Sequence, residues 1–358
     1  MRILFITRKY PPSTGGMELF AFDLYTSLAA KTDTRLIKWG GSGRVKAVLV
    51  ALPYVTVKAF FSLLRGGVDV IHVQDGVLAP VGYLLSQLFR KPFTVVIHGL
   101  DITYKNPLYR KSAPWTVARA DVVFCISEAA STEAQQRGVP IDKIVVIPLA
   151  VRDTYKGKTR PALLKVLDLP ADAKILLTVG RLVKRKGVAW FIENVLPDLV
   201  SRHPEIVYLI VGDGEERSVV EAVIKKTDMG RHVRVLGRVS EEVRELAYSG
   251  ADIFIMPNIT VPGDMEGFGL VLLEASIYGL PVVATDTEGI KDAISNGKNG
   301  VLVPVSDPTA FGSAVERFLT DHKTAAKFGE SSRAFTLATY QWDVLAERYI
   351  EQYKRLVK

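Results

Sequence analysis

Twelve short apolar runs rich in β-branched residues are spread along the whole chain, and between most neighbours lies a stretch of helical character. In the first half they are Arg2 to Thr7, Thr34 to Trp39, Val68 to Val73, Phe93 to His98, Asp121 to Ile126 and Ile144 to Ile147. In the second half they are Ile175 to Val179, Ile206 to Ile210, Val233 to Leu236, Asp252 to Met256, Pro281 to Thr285 and Gly300 to Val303. Strands that alternate with helices pair in parallel, with the helices packed on both faces of the sheet. At 358 residues the chain is too long for one ordinary core. The expectation is an α/β protein of two doubly wound domains, with ligands at the carboxyl ends of the strands. The charged, proline-flanked segment 152–172, with a short helix over Ala162 to Leu167, reads as the interdomain connection. That leaves an N-terminal domain over 1–151 and a C-terminal domain over 173–340.

Composition narrows the function. Cys125 is the only cysteine, so no internal disulfide forms, and within Val122-Val123-Phe124-Cys125-Ile126 it reads as a buried strand residue. The five histidines show no ligand spacing and no Asp-x-Asp pair occurs, so no metal is expected. The opening apolar run is interrupted too soon by Arg8 and Lys9 for a signal peptide, which makes the cytoplasm the expected location. The run Ala47 to Leu64 is broken by Pro53 and Lys58, against a membrane-spanning helix. The net charge is +8, and residues 1–150 alone hold 18 Lys and Arg against 10 Asp and Glu, so the entire excess sits there. No nucleic-acid motif accompanies it, which ranks an anionic membrane surface or anionic acceptor first. Arg44 to Arg65 is a basic, apolar, amphipathic stretch, either a helix packed on the sheet or a contact with a membrane surface.

The most informative stretch is Glu266-Gly267-Phe268-Gly269-Leu270-Val271-Leu272-Leu273-Glu274. It follows the strand ending at Met256 and a Pro/Gly-rich loop, and opens an apolar segment stopped by Gly279 and Pro281, so a helix should start at the glycines. A helix start presents unpaired N–H groups and the positive end of the dipole, which suits an anion. Glu266 lies just outside the helix and Glu274 within it, roughly 9 to 12 Å apart along the backbone. Each carboxylate can accept paired hydrogen bonds from vicinal hydroxyls, and a nucleotide sugar has this layout of sugar, diphosphate and ribose.

The Glu266 to Glu274 pattern resembles the E-x7-E motif of the retaining group 1, or family 4, glycosyltransferases, whose GT-B fold implies two doubly wound, Rossmann-like domains facing a cleft. The resemblance implies that Glu266 contacts the donor sugar, Glu274 the ribose, and the backbone of Gly267, Phe268, Gly269 and Leu270 the phosphates. In Gly180-Arg181-Leu182-Val183-Lys184-Arg185-Lys186-Gly187 four cations share a glycine-bounded loop after a strand, a ready clamp for a diphosphate. By resemblance, Arg181 and Lys186 are the two that bind it. Gly16, in the loop before the first helix, would approach the donor phosphate; His98, at a strand end, would contact the donor sugar; Val239 would lie where the nucleobase packs. Asp101 and Ser127 are weaker acceptor-side candidates, and Ser127 also reads as a helix cap. Pro148-Leu149-Ala150-Val151 lacks the Asn and Gly that many relatives carry there. The terminal helix within 341–358 would cross back to the first domain.

The activity implied is transfer of a hexosyl group, of mannose or glucose type, from a nucleotide diphosphate sugar to an acceptor hydroxyl with retention and without metal or other cofactor. His98, Glu266, Arg181 and Lys186 would carry the chemistry in glycolipid, cell-envelope or polysaccharide synthesis. The acceptor could be lipid-linked and the protein peripheral on the inner face of the cell membrane. A sugar-nucleotide epimerase and a two-lobed sugar or nucleotide binding protein are alternatives. A retaining glycosidase is disfavoured, because its carboxylates stand ~5 to 5.5 Å apart.

Overall fold

The computed structural model describes residues 1–13, 15–40, 45–99, 102, 113–157 and 159–357. The chain divides into two compact units, Met1–Ala150 with Tyr340–Lys358, and Val151–Thr339. Each is built on one six-stranded sheet, and every strand pairing is parallel.

The first sheet comprises β1 (Arg2–Thr7), β2 (Asp33–Lys38), β3 (Val70–Val73), β4 (Phe93–Ile97), β5 (Val122–Cys125) and β6 (Ile144–Val146), in the order β2-β1-β3-β4-β5-β6. The second comprises β7 (Lys174–Val179), β8 (Ile206–Val211), β9 (Val233–Gly237), β10 (Ile253–Met256), β11 (Val282–Thr285) and β12 (Val301–Val303), in the order β12-β11-β10-β7-β8-β9. Helices cover both faces, so β3, β4, β5, β8, β10 and β11 are buried at every position. That is why their sequences are apolar throughout rather than alternating. The chain order reverses between β1 and β3 in the first sheet and between β7 and β10 in the second. Loops at such switch points diverge to opposite faces and leave a crevice at the strands' carboxyl ends.

The helix Trp342–Leu356 belongs to the first unit. Tyr349 packs on Phe124, with ring centroids 4.5 Å apart, and the Tyr353 hydroxyl lies 3.0 Å from Nδ1 of buried His72. Nε2 of that histidine is 3.0 Å from Gln74 Oε1, and burial pushes its pKa down to about 4, so the ring is neutral at physiological pH.

The segment expected as an interdomain connection is instead folded into the second unit. Its helix Arg160–Leu167 packs on the helix Glu241–Gly250, where Arg160 bonds the Gly250 carbonyl at 3.0 Å and Asp252 at 2.9 Å. Leu163 fills the space above Gly250, where a Cβ would meet it at 2.7 Å. The amphipathic stretch expected from Arg44 forms the helix Val45–Leu64, which buries Ala51, Val55, Ala59 and Leu63; Arg44 itself lies outside the described residues.

Candidate active site

At the switch point of the second sheet, the loop after β7 meets the loop after β10. The turn Lys184–Lys186 points Arg185 and Lys186 inward, both buried, while Arg181 and Lys184 stay exposed. Lys186 Nζ lies 2.6 Å from Glu266 Oε2, and Arg185 Nε lies 3.4 Å from the same oxygen. Arg185 also pairs with Asp264 at 2.7 Å, and the Asn258 amide donates to Glu266 Oε2 at 3.3 Å. Burial alone would raise the Glu266 carboxyl; the charges of Lys186 and Arg185 outweigh it and hold the group below the usual carboxylate range. Glu266 is therefore a buried, ionised acceptor. Asn258 Oδ1 is buried and has no hydrogen-bond partner among the described residues, a polar atom left over beside that carboxylate.

The backbone of Glu266 is clamped as well. Its N–H donates to Glu288 Oε2 at 2.5 Å, and its carbonyl accepts from Gly289 N–H at 3.1 Å. The two chains run so close that a Cβ on Gly289 would stand 2.2 Å from the Gly267 carbonyl oxygen. Glu288 itself sits at φ 44, in the left-handed region that side chains other than Gly, Asn and Asp seldom occupy. Burial raises its carboxyl, and the Glu266 charge adds to the shift.

The helix Leu270–Ile277 begins directly after Gly269, whose φ of 86 and whose Cβ position, 2.9 Å from Leu272 Cδ1, call for glycine. In its first turn the Leu272 N–H donates to the Gly269 carbonyl at 2.9 Å, and no acidic side chain lies there to occupy the positive end of the helix. One turn further on, Glu274 accepts a 2.7 Å hydrogen bond from the Tyr248 hydroxyl and lies 4.0 Å from Arg244. Tyr248 is stacked against Phe254 and Tyr278. Burial, then the Glu274 charge, raises its phenol well above the ordinary value, so it remains a donor. Val239 is half-buried between β9 and Ser240, the cap of the helix carrying Arg244 and Tyr248. Arg181 follows β7 with no ion pair among the described residues.

In the first unit the switch-point loops are joined by an ion pair, Arg8 Nε to Asp75 Oδ2 at 2.8 Å, with the carboxylate fully buried. Gly16 opens the helix Gly16–Ala29 and is exposed, and a Cβ there would meet nothing within 4 Å. Beside it Glu18 is buried and paired with Lys9 at 2.9 Å. His98 follows β4; its Nε2 donates to the Gln74 carbonyl at 3.0 Å, and its ring packs edge-on to Phe20. A carbonyl can only accept, so Nε2 carries a proton. Ser127 is buried, with Oγ accepting from Ala130 N–H at 3.0 Å as the cap of the helix Glu128–Gln136. Asp101 lies outside the described residues.

Two family models match the chain in succession: a glycosyl transferase 4-like domain over residues 17–150 and the glycosyl transferases group 1 over residues 159–335. The chain belongs to the group 1, family 4 glycosyltransferases. This glycosyltransferase is 27% identical to the GDP-mannose-dependent α-(1-6)-phosphatidylinositol monomannoside mannosyltransferase of Mycolicibacterium smegmatis, over 98% of this chain and 97% of that one. Its GT-B fold superposes on sucrose-phosphate synthase from Thermosynechococcus elongatus with a TM-score of 0.78, at 23% identity over 99% and 98% of the two chains. On the Anabaena protein HepE in complex with UDP-glucose the TM-score is 0.75, at 19% identity over 99% and 100%.

Within this glycosyltransferase, Lys186 and Glu266, distant in sequence, are in direct contact. Arg185, Asn258, Glu288, Arg244, Tyr248 and the Arg8–Asp75 pair were not singled out from the sequence. Arg185 had a signal, since it adjoins Lys186 in the cationic loop. Arg244 and Tyr248 had only their four-residue spacing on a helix.

Proposed function

We propose that this glycosyltransferase moves a hexosyl group, mannose or glucose, from a nucleotide diphosphate sugar to an acceptor hydroxyl, with retention at the anomeric carbon. The observation that carries the reading is the buried, ionised Glu266 beside the start of the helix Leu270–Ile277, with Glu274 one turn along it. That line of groups suits a sugar, a diphosphate and a ribose in order. Glu266 would orient the donor sugar, and the backbone of Gly267 to Leu270 would receive the diphosphate. Arg181, exposed, and Lys186, which has two further N–H donors beyond the one facing Glu266, would balance charge on the departing nucleoside diphosphate without a metal. Tyr248 would set Glu274 toward the ribose. His98 would contact the donor sugar and Gly16 the phosphate, with Val239 against the base. In this mechanism the leaving phosphate itself takes the acceptor proton on the same face, so positioning and charge stabilisation supply most of the rate.

The M. smegmatis relative, named for a phosphatidylinositol mannoside acceptor and GDP-mannose, supports a lipid-linked acceptor and a protein peripheral on the inner membrane face. No helix among the described residues is long and apolar enough to cross a membrane. The test is thermal shift with GDP, UDP, ADP and dTDP on wild type and Glu274→Ala, with a chelator present. A nucleotide at 100 times its dissociation constant stabilises by about 2.7 kcal/mol, a rise of roughly 5 to 10 °C for a domain of this size. One nucleotide should shift wild type and not the variant. No shift with any of the four at millimolar concentration would refute the donor-site assignment. Product analysis with donor alone separates an epimerase.

A further inference from the structure

The helix Val45–Leu64 has two apolar stripes. Ala51, Val55, Ala59 and Leu63, four residues apart, are buried. Val50, Val57, Phe61 and Leu64, seven, four and three apart, lie on another side and are each more than half exposed. The adjacent helix Ala79–Phe89, joined to it by the edge contact of Phe60 with Phe89, exposes Leu84 and Leu88 to the same degree. Tyr83 of that helix packs on Trp115, itself half exposed beneath the Arg119 guanidinium. Scattered apolar residues on a surface are ordinary; a run of them along two neighbouring helices marks a contact face.

The charge around this face indicates what covers it. No Asp or Glu occurs from Thr34 to Val68 or from Gly76 to Leu100, whereas Lys38, Arg44, Lys46, Lys58, Arg65, Arg90 and Lys91 do. Lys58 and Arg65, one heptad apart, border the exposed stripe, and Arg90 and Lys91 end the second helix. A second copy seated symmetrically on the face would set these cations against each other, because a two-fold interface pairs each patch with itself. An anionic bilayer meets both requirements: lipid phosphates for the basic border, and the headgroup–acyl boundary for an in-plane apolar stripe.

We propose that the outer face of the helices Val45–Leu64 and Ala79–Phe89 seats the enzyme on an anionic lipid surface, with Phe61, Val57, Leu84 and Leu88 inserted and Lys58, Arg65 and Arg90 on lipid phosphates. Its purpose rests on the lipid-linked-acceptor reading, but its test does not. The full chain is floated with vesicles of phosphatidylcholine, with and without phosphatidylglycerol. The expected result is flotation with phosphatidylglycerol only, reversed by salt. Each basic residue removed should lower partitioning about fivefold, so Lys58→Ala/Arg65→Ala falls roughly 25-fold, and Val57→Ser/Phe61→Ser falls at least as far. Both variants should keep the wild-type melting temperature and nucleotide shift, which separates docking from folding and from the donor site. Absence of flotation at low salt, or variants that float like wild type, overturns the proposal. So does a dimer in lipid-free solution that the Phe61 variant dissociates, which would make the face a protein interface. A nucleotide shift without flotation leaves the transferase reading standing alone; flotation without a shift does the reverse.

Discussion

Lys186→Met tests whether Glu266 is held ionised by its neighbours. Methionine keeps most of the lysine stem, so the change removes one charge from beside a buried carboxylate and little else. Removing one partner of a buried ion pair costs about 3–5 kcal/mol. Arg185 at 3.4 Å and Asn258 at 3.3 Å still face the same oxygen, which places the loss near the lower limit, about 3 kcal/mol. For a domain of this size that is a fall of roughly 6 to 12 °C in Tm. The pH dependence should also reverse. In the wild type the folded-state carboxyl lies below its ordinary value, so its contribution is complete at neutral pH and is lost as pH falls through the carboxylate range. Without Lys186, burial dominates and the folded-state value rises above the ordinary one. The variant should then be least impaired in acid and lose stability as pH rises through that range. Adding Glu266→Gln removes the stranded charge and should restore most of the Tm, though not activity. The assay is urea and thermal melts of wild type, single and double variants from pH 4 to 8. A single variant that melts with wild type at neutral pH, or a double variant as unstable as the single, refutes the account of Glu266.

Substitutions at two further sites, Glu288 and His72, follow from their surroundings. Glu288→Gly relieves a left-handed backbone at φ 44 and removes the acceptor for the Glu266 N–H. Strain of about 1–2 kcal/mol offsets the lost bond, so Tm should change by no more than a few degrees while kcat falls at least tenfold. Glu288→Ala loses the bond and keeps the strain, and should be the less stable of the two in a urea melt; the reverse ranking would mean that φ 44 is not strained. In the first unit, His72 is pushed down to about 4 by burial, so the unfolded chain binds its proton first as pH falls below about 6.5. Stability of that unit should decline on acidification by up to about 3 kcal/mol, and His72→Gln should flatten the slope between pH 6.5 and 4; an unchanged slope places the titration elsewhere.

The sheets were legible because a strand covered on both faces has apolar residues at successive positions, a local property. All twelve appear within about two residues of expectation; even half-exposed β2 is displaced by only one, since Trp39 N–H still bonds Thr7 beyond the strand end. The start of the helix at Gly269–Leu270 was legible for the same reason, glycines followed by an unbroken apolar run. What surrounds Glu266 was not local. Four cations in one loop carry no mark of which pair faces inward. The tight turn over Lys184–Lys186 decides it, burying Arg185 and Lys186 and leaving Arg181 and Lys184 out. Glu288 left no trace, because glutamate has no preference for the conformation it holds; its place is dictated by how closely Gly289 approaches Gly267. The same distinction governs Val45–Leu64. Packing on the sheet and contact with a membrane were opposed readings of one amphipathic stretch, yet the helix presents Val55 to the core and Phe61 to the exterior. Hydrophobic periodicity identifies the sides of a helix but not what covers each. The second cover follows only once the first is filled, from an acid-free stretch of basic residues beside a stripe that the sheet cannot reach.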